Sequence, residues 1–346
     1  MRLGNRSMSI FYPLSALSPG RAGRATMAAA VFARPGCVEF RETPIPVPGS
    51  REVCVRLEGC GVCKSSVAAW LGEGNSPYPL APGAPGDEAW GRVESVGEDV
   101  VGVAAGDRVG VLTETGFAEC AVVDAGRLVL LPETLDAEPF PTRAMGGAVN
   151  VFRRSFIEKG DTVAVVGFGF LGALVTQLAV LAEARVIALG RRPYALRIAK
   201  QLGAALAVVQ NEETQAQRVV ETIREMNAGR LCDVVIESSG AQGGLDLAAE
   251  LTRERGRLLV AGSHQDAHRL VDMALWNRRG FDVVNAHETS PAILREGMRE
   301  AAAAVACGLL QPGPLYTHRF ALERLEDALR LATERPPGFM KALIYF

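Results

Sequence analysis

The chain has 346 residues, 48% of them apolar and 22% charged, with a formal net charge of −2 and a pI of about 6.2. Those values describe a well-cored globular protein of two domains or one large one. They disfavour nucleic acid as a partner, and no apolar run reaches the roughly 18 residues of a membrane span. Seven scattered cysteines, an odd number, imply no disulfide framework and fit a reduced, cytoplasmic protein.

Residues 1–26 carry four arginines and no acidic residue. They read as a disordered leader, as a targeting peptide, or as sequence upstream of a start at Met27. From Met27 onward the first half is strand-rich. Residues 28–32, 52–60, 91–97, 107–112 and 117–132 are short β-type runs broken by Gly, Pro and Asp. The middle alternates: strand 161–169, apolar helix 170–184, strand 185–190, a helix from Pro193, strand 232–240, helix 243–255, strand 256–262 and strand 281–287. Strands alternating with helices of this length predict a doubly wound parallel sheet. A helix over 292–308 and a closing strand over 341–346 follow. That tail is too small to fold alone and is expected to pack back on the first unit.

Gly167, Gly169 and Gly172 form a GxGxxG turn directly after the buried run TVAVV and open a long apolar helix through Phe170 and Leu171. In that setting the glycines provide a tight turn, close backbone approach to a pyrophosphate and close helix–strand packing. The helix N-terminus adds free N–H groups and the positive end of its dipole. A nicotinamide dinucleotide is the expected cofactor. Gly262, at the end of strand 256–262, is assigned to the same site. The second strand selects the cofactor: it ends in Gly190, Arg191 and Arg192, where an NAD site places a carboxylate for the ribose 2′-hydroxyl. Glycine leaves room for a 2′-phosphate and guanidiniums can clamp it, so NADP(H) is favoured over NAD(H).

The motifs GCGVCKSS (59–66), PGDEAWGRVESVG (85–97), GDRVGV (106–111), GDTVAVVGFGFLG (160–172) and GFMKALIYF (338–346) occur in an order that resembles the medium-chain dehydrogenase/reductase superfamily, and its zinc alcohol dehydrogenase branch in particular. The resemblance implies an α/β protein. A GroES-like β-rich catalytic domain would be built from 27–151 and 289–346, and a Rossmann cofactor domain from 152–288. It also implies a homodimer, with the strand around 280–287 at the edge.

The same resemblance implies a catalytic zinc on a cysteine, a histidine and a third Cys or Glu. Cys63 matches the cysteine, but the Gly-His-Glu motif reads Gly86-Asp87-Glu88, and Arg143 or Ala144 falls at the third position. All four histidines lie beyond residue 263. A guanidinium beside Zn²⁺ is repulsive, so a catalytic zinc is doubtful; Cys63, Asp87 and Glu88 remain the metal candidates. The four-cysteine lobe of a structural zinc is absent, so no structural zinc is expected.

The paired change places Asp87 and Arg143 as an ion pair where the metal would sit, with Arg143 polarising a carbonyl or holding a carboxylate. Ser65 matches the family's proton-passing Ser or Thr, although a serine there also serves as a plain helix cap. For Cys63 the alternative is an inert buried thiol, and for Arg143 a solvent-facing charge.

The expected function is NADPH-dependent, zinc-independent hydride transfer with a small polar metabolite at a carbonyl, enone or imine carbon. Residues 261–291 resemble threonine- or sugar-type dehydrogenases, which favours a hydroxylated substrate. A zinc-dependent alcohol or polyol dehydrogenase with an atypical metal site, and a catalytically degenerate NADPH-binding protein, stay open.

Overall fold

The computed structural model describes residues 25–73, 77–210, 216–265 and 267–346. The leader, apart from Ala25 and Thr26, lies outside the described residues.

The first unit opens with the hairpin β1 (Thr26–Arg34) and β2 (Cys37–Pro44). There follow β3 (Glu52–Gly61), α1 (Lys64–Leu71), β4 (Ala89–Val96), β5 (Arg108–Val111), β6 (Cys120–Asp124) and β7 (Leu128–Leu130). α2 (Thr142–Ser155) then leads to β8 (Thr162–Val166). α2 continues past residue 151, so a helix rather than a loop joins the two units there.

The second unit continues as α3 (Phe170–Leu181), β9 (Arg185–Gly190), α4 (Pro193–Gln201), β10 (Leu206–Val209), α5 (Ala216–Met226), β11 (Cys232–Glu237), α6 (Gln242–Leu251), β12 (Thr252–Val260), α7 (Met273–Arg279) and β13 (Asp282–Asn285). The chain closes with α8 (Pro291–Ala306), β14 (Tyr316–Ala321), α9 (Leu325–Glu334) and β15 (Lys341–Tyr345).

The second unit's sheet is six-stranded and parallel, in the order β10-β9-β8-β11-β12-β13. Strand order reverses between β8 and β11, and the crevice outside the carboxyl ends at such a switch point is where ligands bind in these sheets. β8 is buried along its whole length, as a strand covered by helices on both faces must be. The run 252–255, expected as helix, belongs to β12 instead. α6 ends at Leu251, and Arg253 Nε meets Asp233 Oδ1 at 2.6 Å, tying the run to β11.

The first unit's sheet has the order β14-β15-β3-β4-β5-β7, with β6 also on β3. β3 thus shares one edge between two strands: Glu52–Arg56 pair with β6 and Gly59–Gly61 pair with β15. The C-terminal strand packs back into the first unit, as the size of the tail requires. It delivers Met340 and Lys341 beside the turn that carries Cys63, where Lys341 Nζ donates to Val62 O at 2.9 Å. Among the described residues no helix is long and apolar enough to cross a membrane.

Candidate active site

At the end of β8, Gly167 has φ +95° and lies against β11's exit; a Cβ there would come within 2.5 Å of Ser239 N. Only glycine fits that position. Gly172 faces back on the turn, where a Cβ would meet Gly167 O at 2.8 Å. Gly169, the N-cap of α3, has nothing within 4 Å of its missing Cβ. That open space is the volume a pyrophosphate needs. The first intrahelical bond runs from Ala173 N to Gly169 O at 2.9 Å, so the N–H groups of Phe170, Leu171 and Gly172 precede it and face the opening. The side chains of Phe170 and Leu171 pack into the core, leaving only their backbone to the ligand. The cradle fits a dinucleotide.

Gly190 ends β9 with its missing Cβ facing Phe168. Arg191 is exposed and Arg192 is the N-cap of α4. Arg192 is partly committed to the first unit: its Nη1 donates to Phe339 O. Burial, Arg335 and Arg191 together pull the Arg192 guanidinium below its ordinary pKa. Partial desolvation and Arg191 do the same to Arg335, the C-cap of α9. Among the described residues none of the three has a carboxylate ion pair. Three guanidiniums near one another, with no carboxylate partner among the described residues, could hold a multiply charged anion. Arg335 lies 144 positions from Arg191 in the chain, and no local sequence pattern marks their approach.

β11 ends in Glu237, fully buried, whose Oε1 accepts from Ser239 N at 2.7 Å and Gly240 N at 2.9 Å. Its Oε2 lies 2.7 Å from His264 Nε2, and Arg269 Nε donates to His264 Nδ1 at 2.9 Å. The arginine's donation fixes the histidine proton on Nε2, pointing at Glu237. Gly262 has no room for a Cβ, which would fall 2.6 Å from Glu237 Oε2. Its place in the site is therefore to let the end of β12 approach this carboxylate. Lys64 crosses the cleft to donate to Ser263 O at 2.8 Å.

The chemical end of the site stands on α1. Cys63 is the N-cap, and buried Ser66 closes a capping box: its Oγ accepts from Cys63 N at 3.1 Å. The capping role is thus taken by Cys63 and Ser66, which frees Ser65. Ser65 Oγ lies 2.8 Å from Cys63 Sγ and donates to Asp87 Oδ2 at 3.3 Å. Cys63 Sγ donates to Asp87 Oδ1 at 3.0 Å. Burial first, then the charges of Asp87 and Glu88, push the Cys63 thiol up to about 12. Arg143, in the first turn of α2, places Nη1 3.6 Å from Asp87 Oδ2, and a third of its side chain remains exposed. The structure therefore brings Cys63, Ser65, Asp87 and Arg143 into one cluster.

Glu88 is buried against Gly61, where a Cβ would fall 2.0 Å from Glu88 Oε2. It makes an ion pair of 2.5 Å with Lys341 Nζ, which also stands 5.0 Å over the Phe170 ring. Burial raises the Glu88 carboxyl despite that cation. Ligand atoms of Cys63, Asp87 and Glu88 lie within 4.8 Å of one another. As a zinc set they fit poorly: each carboxylate already faces a cation, Asp87 the Arg143 guanidinium and Glu88 the Lys341 ammonium.

The sequence matches two family models in tandem, the alcohol dehydrogenase GroES-like domain over residues 49–172 and zinc-binding dehydrogenase over residues 171–304. A quinone oxidoreductase of Pseudomonas aeruginosa is 26% identical over 319 residues, covering 89% of this chain and 96% of its own length. YphC of Escherichia coli, a zinc-type alcohol dehydrogenase-like protein, is 26% identical over 361 residues, with coverages of 93% and 99%. Among solved structures, a zinc-binding dehydrogenase of Sinorhizobium meliloti bound to NADP superposes with a TM-score of 0.80 at 25% identity, covering 93% of this chain and all of that one. The tandem models, the two-domain fold and these relatives agree: the chain belongs to the medium-chain dehydrogenase/reductase superfamily of NAD(P)-dependent oxidoreductases, in its zinc alcohol dehydrogenase-like branch.

Proposed function

We propose that this oxidoreductase uses NADP(H), works without a catalytic zinc, and exchanges hydride with a carbonyl, enone or imine carbon of a small hydroxylated metabolite. The observation that carries the reading is Arg143 lying 3.6 Å from Asp87 Oδ2, beside Cys63, at the positions where the family's metal ligands would stand. The NADP(H) choice is supported by Arg191, Arg192 and Arg335 and by the NADP bound in the Sinorhizobium meliloti relative.

When bound, the nicotinamide supplies or accepts the hydride. The chain's own residues bind and orient. The N–H groups at the start of α3 hold the pyrophosphate, and Lys64 stands at the cleft. Arg143 faces the substrate oxygen and stabilises negative charge developing on it, as an oxyanion site does. Ser65, whose single proton rests on Asp87 Oδ2 before substrate binds, turns that proton to the same oxygen, while Asp87 stays beside Arg143 and holds it in place. Cys63 keeps its proton on Asp87 and fixes that carboxylate. A homodimer in the cytoplasm, with β13 at the sheet edge, completes the proposal.

A zinc-dependent reading is favoured by one observation, the proximity of the Cys63, Asp87 and Glu88 ligand atoms. The test is turnover on a panel of carbonyls, enones and alcohols, with NADPH or NADH, before and after chelation, beside metal analysis. NADPH-dependent turnover that survives chelation is expected. Activity restored only by added zinc would overturn the zinc-free reading, and tight NADPH binding with no turnover would leave a binding protein.

A further inference from the structure

At the N-terminal half of β3, away from the turn that carries Cys63, strands β6, β3 and β4 lie side by side. Cys54 on β3 and Cys120 on β6 are both buried, 2% and 1% exposed, in a small cluster with Met27, Ala29 and Ala118. The ladder between β3 and β4 shifts register between Cys54 and Val55: Cys54 faces Ser95 and Val55 faces Val93, leaving Glu94 as the extra residue. A bulge re-aims a side chain. Here the Glu94 carboxylate reaches across β3, and Cys120 Sγ donates to Glu94 Oε2 at 3.6 Å. Donor atoms of Cys54, Glu94 and Cys120 all lie within 4.8 Å of one another.

We propose that Cys54, Glu94 and Cys120 form a second metal site, for a thiophilic divalent cation of the zinc class, with water completing a tetrahedron. Zn–S and Zn–O bonds separate donors in such a tetrahedron by about 3.5–3.8 Å; Cys120 Sγ and Glu94 Oε2 stand 3.6 Å apart, and all three donors lie within 4.8 Å of one another. Charge closes as well. Two thiolates and a carboxylate carry three negative charges; the divalent cation supplies two positive ones and Arg56, 2.5 Å from Glu94 Oε1, the third. Arg56 leaves Oε2 free for the ion. A disulfide is the poorer fit. Cys54 faces Val122 and Cys120 faces Arg56, making the cysteines diagonal neighbours. Diagonal α-carbons sit about 7–8 Å apart, too far for an S–S bond without backbone movement. Positions 54, 94 and 120 follow no linear metal motif, so only the folded sheet reveals the set.

The test uses reduced, metal-free full-length protein carrying Cys63→Ser, which removes the other candidate cluster, titrated with Co²⁺ and then displaced by Zn²⁺. One equivalent of Co²⁺ with a charge-transfer band of two-thiolate intensity is expected. Adding Cys120→Ala abolishes the band, and Glu94→Gln, a surface change that spares the core, weakens binding about tenfold or more. Circular dichroism of each variant shows whether it is folded. The proposal falls if folded protein gives no thiolate band, if the band survives Cys54→Ala or Cys120→Ala, or if it is present in the parent chain and vanishes with Cys63→Ser alone.

Discussion

The ammonium of Lys341 lies 2.5 Å from Glu88 Oε2, and both side chains are almost fully buried between β3, β15 and the start of α3. Removing one partner of such a pair leaves an uncompensated buried charge, at a cost of about 3–5 kcal/mol. Lys341→Met is therefore expected to lower stability by that amount in urea unfolding. Lys341→Met with Glu88→Gln should recover much of it, and an unchanged single variant would show that the pair contributes nothing.

On the NADP(H) reading proposed above, Arg335 and Arg191 both face the 2′-phosphate. Replacing either with alanine removes a charge-assisted contact of about 1.5–3 kcal/mol, which corresponds to roughly a 10–100-fold rise in KM for NADPH. The KM for NADH should not move. Equal losses with both cofactors would assign these residues to something other than the 2′-phosphate.

Two glycines of the turn separate stability from binding. Gly169→Ala places a methyl in open space, so thermal unfolding should be unchanged while KM for NADPH rises about tenfold or more, since the pyrophosphate needs that volume. Gly167→Ala forces a positive φ and a clash with Ser239 N. It should lose about 2 kcal/mol or more of stability before cofactor is added.

The Cys63 thiol, raised to about 12 by burial and by Asp87 and Glu88, is almost wholly protonated near neutrality. At pH 8 the thiolate fraction is about one part in ten thousand. Alkylation by iodoacetamide, located by peptide mapping, should be slow and climb steeply only above pH 9. Asp87→Asn, which removes a charge that raises the thiol, should shift the profile to lower pH. The linkage has a fixed sign: with the folded value above the unfolded value of 9.0, the stability from this group is complete below pH 9 and is lost as pH rises toward 12. A profile with a midpoint near neutrality would point to a thiolate held by metal.

The cofactor half of the site was legible because its signals are local. GxGxxG after a buried strand, and Gly190-Arg191-Arg192 after the next, are read within a few residues of chain. The Asp87 and Arg143 pairing was legible only through resemblance, since two positions of one family motif had changed together. The contacts of Arg335, of Lys341 and within the Glu237–His264–Arg269 chain leave no mark in the sequence. Each residue meets its partner through sheet pairing or loop packing that leaves no periodicity, and a buried glutamate at the end of β11 looks in sequence like any strand-terminal acid. The sequence predicts helix over 252–255 because Arg-Glu-Arg has helical propensity; the positive φ of Arg255 and the tie from Arg253 to Asp233 override it.

The division of one β3 edge between β6 and β15 bears on how the protein is made. Val62 and Lys341, joined by a hydrogen bond, are 279 positions apart, and the entire cofactor sheet is threaded between them. On the ribosome that inner unit, whose strands and helices follow one another, emerges whole and can fold first. The outer unit must wait with the Gly59–Gly61 edge of β3 unpaired and Glu88 without its cation. The pocket that holds Cys63, Asp87 and Arg143 is completed late in synthesis. A chain stopped short of β15 would carry a finished cofactor domain beside an open sheet edge, a species that invites aggregation.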